Sequence, residues 1–274
     1  MHPILLKLGP LTLYAYGAML VVAFLAATGL ASQAARRSPP ALIAISADQL
    51  VDFACCTLLG GIIGARLLYV LLQGDAFLRE PWEIPAIWHG GLVWYGGFLG
   101  GGFAGWLYVR AKGLVFLRVM DQVIPFLALG HAIGRLGCFL NGCCFGKPTD
   151  AWCGVVFPGQ GVRVYPTQLF ESAGLLFLYI TLRSMQRPAM LGLPRSASSD
   201  SRPPRPSPGS GRGGGPGRLF ACYLIGYGAL RFGLEFFRGD QAIWWAGLTL
   251  QQMISIGIFT LGMSLRPWRG RIGS

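Results

Sequence analysis

Charge is what this chain has least of. Asp, Glu, Lys and Arg together make 12% of its 274 residues, and only 11 residues are acidic. A soluble domain carries roughly twice that charged fraction. A chain this apolar needs a solvent other than water, and the bilayer is the one its composition fits. No cleavable leader is expected: only Lys7 precedes the first apolar run, and that run is long enough to span. Internal repeats are not evident, which argues against a transporter built from inverted halves.

What is present is hydrophobic. The apolar share is 53% and the mean hydropathy is +0.51. Seven stretches can each cover a hydrocarbon core of about 30 Å: Tyr14–Ala35, Ala47–Gln73, Leu92–Val109, Val119–Leu140, Pro166–Leu182, Leu219–Phe237 and Leu248–Leu265. The fold class expected is an all-α integral membrane protein of about seven transmembrane helices. The net charge of +12 points to membrane orientation and not to nucleic acid, because the basic residues fall in short segments between the apolar stretches. With the N-terminus outside, 15 basic residues lie on the inner side (Arg36 and Arg37, Arg110 to Arg118, Arg183 to Arg218, Arg266 to Arg271) and 5 on the outer side. The C-terminus is then cytoplasmic. One polytopic membrane domain covers 1–274, and 186–217, rich in Ser, Pro, Gly and Arg, reads as a disordered cytoplasmic loop within it.

Small residues crowd two of the stretches: Gly60, Gly61 and Gly64 in one, Gly96, Gly97, Gly100, Gly101, Gly102 and Gly105 in the other. Such spacing lets helices approach closely.

Three arginines lie inside spans: Arg66, Arg135 and Arg231. A charge there costs about 2.5–3.5 kcal/mol on insertion scales. Each sits five to seven residues before the outer end of a helix running outward, or roughly 8–10 Å below the surface at 1.5 Å per residue. Independent snorkelling to the interface is the plain alternative. Matched depth on three helices, on the side poor in arginine, favours a shared anionic ligand, and a lipid phosphate lies close to that depth. Tyr227, Arg231 and Glu235 share one helix face, as do His131 and Arg135. Arg231 and Glu235 are expected to pair and still leave guanidinium hydrogens for a ligand.

Gly134-Arg135-Leu136-Gly137-Cys138-Phe139-Leu140-Asn141-Gly142, ending at Gly146, resembles the signature of the prolipoprotein diacylglyceryl transferases. Tyr16-Gly17, Gly64-Ala65-Arg66, the run from Gly90 to Gly97, Asp121, the run from Tyr165 to Glu171, and Tyr227 to Arg238 agree with it in order and spacing. The resemblance covers nearly the whole chain apart from the loop at 186–217. It implies an enzyme that moves the diacylglyceryl group of phosphatidylglycerol to the thiol of a lipobox cysteine in prolipoprotein signal peptides, the first step of bacterial lipoprotein maturation. Glycerol phosphate leaves, and neither a metal nor an organic cofactor is needed. The setting it implies is the bacterial cytoplasmic (inner) membrane, with the active region at the outer leaflet. The residues it marks are Arg135, Arg231 and Tyr95 as catalytic. Beside the lipid it places Arg135, Arg231, Tyr16, Tyr227, Glu235, Arg66, Asn141 and Gly146. The alternative is a lipid-binding paralogue with altered or lost activity.

Four positions depart from the family pattern: Cys138 for an asparagine, Cys143 for a glutamate, and Tyr95 and Tyr165 for histidines. The thiol's proton acceptor is therefore open, with His89 and His131 as further candidates. Four of the seven cysteines, Cys138, Cys143, Cys144 and Cys153, cluster at or beyond the outer end of the fourth span. A disulfide among them and free buried thiols are both left open. Their spacing matches no usual zinc pattern and no histidine lies in that loop.

Overall fold

The computed structural model describes residues 4–8, 11–39, 43–158, 161–190, 215–239, 243–245 and 247–265. Each apolar stretch becomes a helix: α1 (Ala15–Arg37), α2 (Ala47–Leu72), α4 (Trp94–Ala111), α5 (Phe116–Asn141), α6 (Thr167–Met190), α7 (Arg218–Glu235) and α8 (Leu250–Leu265), with the short α3 (Gly74–Arg79) after α2. Three of them, α1, α2 and α5, are long and apolar enough to cross a membrane. Large apolar side chains face outward, among them Leu25, Ile63 and Phe98, each more than 60% exposed. A water-soluble surface rarely carries so many.

Two features refine the expectation. Short antiparallel pairs accompany the helices: β1 (Ile4–Leu8) with β2 (Leu11–Tyr14), β3 (Val155–Val156) with β4 (Arg163–Val164), and β5 (Ile243–Trp245) with β6 (Leu248–Thr249). These hairpins lie between or before the apolar helices, where backbone groups still need partners. Helix α6 also continues to Met190, into the segment read as a loop from 186; residues 191–214 lie outside the described residues.

The chain divides into two compact units. In the unit formed by 31–37 and 43–119, α2 begins with a capping box: Ser46 accepts from the Gln49 amide, and Gln49 Oε1 accepts from the Ser46 amide. Its glycines meet those of α4. A Cβ on Gly64 would strike the Gly96 carbonyl, and one on Gly100 would strike that of Gly60. The helices therefore touch backbone to backbone, and neither side of this seam has room for a methyl group.

In the unit formed by 1–30, 38–42 and 120–274, α5, α6 and α7 share an apolar core of Ile124, Ala128, Leu182, Leu219 and Tyr223. Helix α7 lacks a side-chain cap of its own at Gly217. Asp121 of α5 supplies one, accepting from the amides of Gly217 at 2.7 Å and Phe220 at 2.9 Å. Thr249 caps α8: its hydroxyl accepts from the Gln252 amide while Gln252 Oε1 accepts from the Thr249 amide.

Candidate active site

The C-terminal third of α5 turns one face to α6 and α7. Arg135 pairs with Glu171 of α6, Nη2 to Oε1 at 2.9 Å, and His131 Nε2 stands 3.6 Å from the same oxygen. Tyr227 lies within hydrogen-bonding reach of Arg135, and its ring packs against His131 with centroids 5.4 Å apart. One turn further along α7, Arg231 pairs with Glu235 at 3.2 Å, the i,i+4 pair the sequence predicts. Glu235 is fully enclosed and also accepts from the Thr249 hydroxyl at 3.0 Å. Both guanidinium groups are therefore matched by a buried carboxylate, which offsets much of the cost of enclosing them. The match is incomplete: the buried Arg135 Nε has no hydrogen-bond partner among the described residues. A planar donor left over beside a neutralised charge suits an incoming anion.

The loop after α5 borders this group. Helix α5 ends in a Schellman motif: Gly142, at φ +73°, donates to the Phe139 carbonyl and Cys143 donates to that of Cys138. Asn141 is the last helical residue. The loop is then tied to the start of α6, since Gln168 Nε2 donates to the Cys143 carbonyl and the Thr167 hydroxyl to that of Cys144. Gly146 donates to the Tyr165 carbonyl at 2.8 Å, and a Cβ there would strike the Phe237 carbonyl. Gly146 therefore shapes the loop and has no side chain to offer a ligand. Tyr16, at the start of α1, packs against Gly137 of α5 and lies within electrostatic reach of Arg135. All seven cysteines are free thiols.

The other unit holds the two remaining expected residues. Arg66 is buried, and its guanidinium donates to the carbonyls of Glu83, Ile84, Gly90 and Gly91. It holds together the turn between α3 and α4, and every guanidinium nitrogen has a main-chain partner there. Tyr95, in the first turn of α4, is about half exposed and packs edge-on to Trp94. Glu171 and Gln168 were missed as site residues, although both stand in the run from Tyr165 to Glu171. The available signal was the one applied to the arginines: a carboxylate inside an apolar helix requires a partner.

Apolar helices, three of them long enough to cross a membrane, together with arginine–carboxylate pairs held on α5, α6 and α7, fit a polytopic membrane protein. Residues 3–268 match the family model described as prolipoprotein diacylglyceryl transferase, and the chain belongs to that family. It is similar to proteins named phosphatidylglycerol–prolipoprotein diacylglyceryl transferase. That of Aromatoleum aromaticum is 36% identical, covering 96% of this chain and 93% of the relative. That of Pseudoalteromonas atlantica is 34% identical, with 98% and 89% covered. That of Clostridium tetani is 31% identical, with 96% of each covered.

Proposed function

We infer that this chain transfers the diacylglyceryl group of phosphatidylglycerol to the cysteine thiol of prolipoproteins. The observation that carries the reading is the pair of carboxylate-matched arginines, Arg231 buried and Arg135 largely so, with the Arg135 Nε donor unpartnered among the described residues. The thiol sulfur attacks the glyceryl carbon that bears the phosphate, that C–O bond breaks, and glycerol phosphate departs with the electron pair. Arg135 and Arg231 clamp the phosphate and stabilise the charge growing on its bridging oxygen. Their field favours the thiolate of the incoming cysteine, whose pKa starts near 8.5. Tyr16, Tyr227, Glu235 and Asn141 border the headgroup. Tyr95 stands where the family often has a histidine, and its hydroxyl takes that residue's part in the reaction.

The protein lies in the bacterial inner membrane with seven spans, N-terminus outside and C-terminus in the cytoplasm. The arginines then lie near the outer leaflet, where signal peptides with a lipobox cysteine emerge. Purified protein, phosphatidylglycerol liposomes and a lipobox peptide test the reaction. The expected product is the peptide carrying a diacylglyceryl mass on cysteine, and no such product from folded protein refutes the reading. Reporter fusions after Arg37 and near Asp150 test the orientation: the first reports cytoplasm and the second the outside, and a cytoplasmic signal from Asp150 overturns it.

A further inference from the structure

The loop that departs from the family pattern brings three thiols together. Cys138 and Cys143 occupy the two positions that a Schellman motif juxtaposes, three residues inside the helix end and two beyond it. Cys144 follows at φ +64°, the single non-glycine residue with positive φ among the described residues. That conformation is costly for a side chain with a Cβ, and such outliers concentrate at functional sites. It brings the Cys144 sulfur to 3.6 Å from that of Cys143. All three Sγ atoms lie within 4.8 Å of one another.

We propose that Cys138, Cys143 and Cys144 form a three-thiolate site for a thiophilic d10 metal ion of the zinc or copper(I) class. Zinc–sulfur bonds of about 2.3 Å in tetrahedral geometry place ligand sulfurs about 3.8 Å apart, so the site closes with small side-chain movements. Soft thiolates select this class of ion. Cys138 is buried and the other two are half-buried, which shields the ion yet leaves a path to it. The carbonyls of Cys143 and Cys144 are held by Gln168 and Thr167, so the ligand backbone is fixed in advance. Three thiolates and a divalent ion leave one net negative charge, and Arg135 lies within electrostatic reach of all three sulfurs. Linear spacing alone argued against zinc, because the usual patterns describe ligands on separate turns and not a single helix cap. The site stands independently of the transferase reading.

The test is a titration of purified, reduced, metal-free protein with Cd(II) under anaerobic conditions. One equivalent should bind per chain, with ultraviolet thiolate-to-cadmium absorption and release of protons from the thiols. Alkylation of the unmodified chain, mapped by mass spectrometry, should then show Cys138, Cys143 and Cys144 protected together and Cys55, Cys56, Cys153 and Cys222 still reactive. This footprint needs no variant to fold. Cys143→Ser and Cys144→Ser should each weaken binding at least tenfold, whereas Cys222→Ser should not change it. Absence of stoichiometric uptake overturns the proposal. So does protection spread over the other cysteines, or a disulfide within the trio in protein isolated without reductant.

Discussion

Replacing Arg135 or Arg231 by lysine keeps the charge and the ability to reach the interface, but removes the planar fork. In the structure Arg135 uses Nη2 on Glu171, while Nε is buried and has no partner among the described residues. A lysine can satisfy Glu171 with its single ammonium and then has no second, fixed donor for a phosphate. Each variant therefore loses one charge-assisted hydrogen bond to the leaving group. Such a bond is worth about 1.5–3 kcal/mol, which slows transfer by roughly one to two orders of magnitude. The carboxylate partners remain matched, so both variants should insert and fold. The assay is diacylglyceryl transfer to a lipobox peptide in phosphatidylglycerol liposomes, with helical circular dichroism and monodispersity in detergent as the folding check. Near-normal transfer by both Arg135→Lys and Arg231→Lys would sink the clamp and leave the pairs with Glu171 and Glu235 as the reason for the two positive charges.

Glu171→Gln removes the carboxylate that matches Arg135, and breaking a buried pair costs about 3–5 kcal/mol; the variant should accumulate poorly or melt far earlier in detergent, and an unchanged melting temperature refutes the pairing. Asp121→Ala removes the cap of α7 and should lower stability by about 1–2 kcal/mol, read as thermal unfolding, with no loss if the two amides find other partners. Arg66→Lys should lower the thermal stability of the protein more than its turnover, because the lost donors serve the carbonyls of 83–91; the reverse order would move Arg66 into the reaction. Tyr95→Phe should reduce transfer in a folded protein, and full activity would direct attention to His131, which shares Glu171 with Arg135.

The helices were legible because long apolar runs have few other solutions, and α2 and α5 match their expected limits to within three residues at either end. The hairpins were not legible. Strands of two to five residues are shorter than any reliable alternation. The Arg231–Glu235 pair could be read from i,i+4 spacing. The partners of Arg66 could not, since they are main-chain carbonyls 17 to 25 residues away that no side-chain pattern marks. Arg135 was recognised as needing an anion, but its nearest anion is Glu171, 36 positions along and on another helix. Asp121 is similar: its place in the motif was visible, whereas its partners, Gly217 and Phe220, depend on tertiary packing.

The loop after α5 takes its shape from main-chain atoms: a glycine turn, two carbonyls gripped by Thr167 and Gln168, and the Gly146 amide on Tyr165. None of these ties involves the side chains at 143 or 144. The frame and its furnishing are thus separable. A glutamate at 143, frequent in the family, and the cysteine found here can occupy one and the same scaffold. Mutational drift at these two positions can therefore trade one chemistry for another beside the arginines without first having to rebuild the fold.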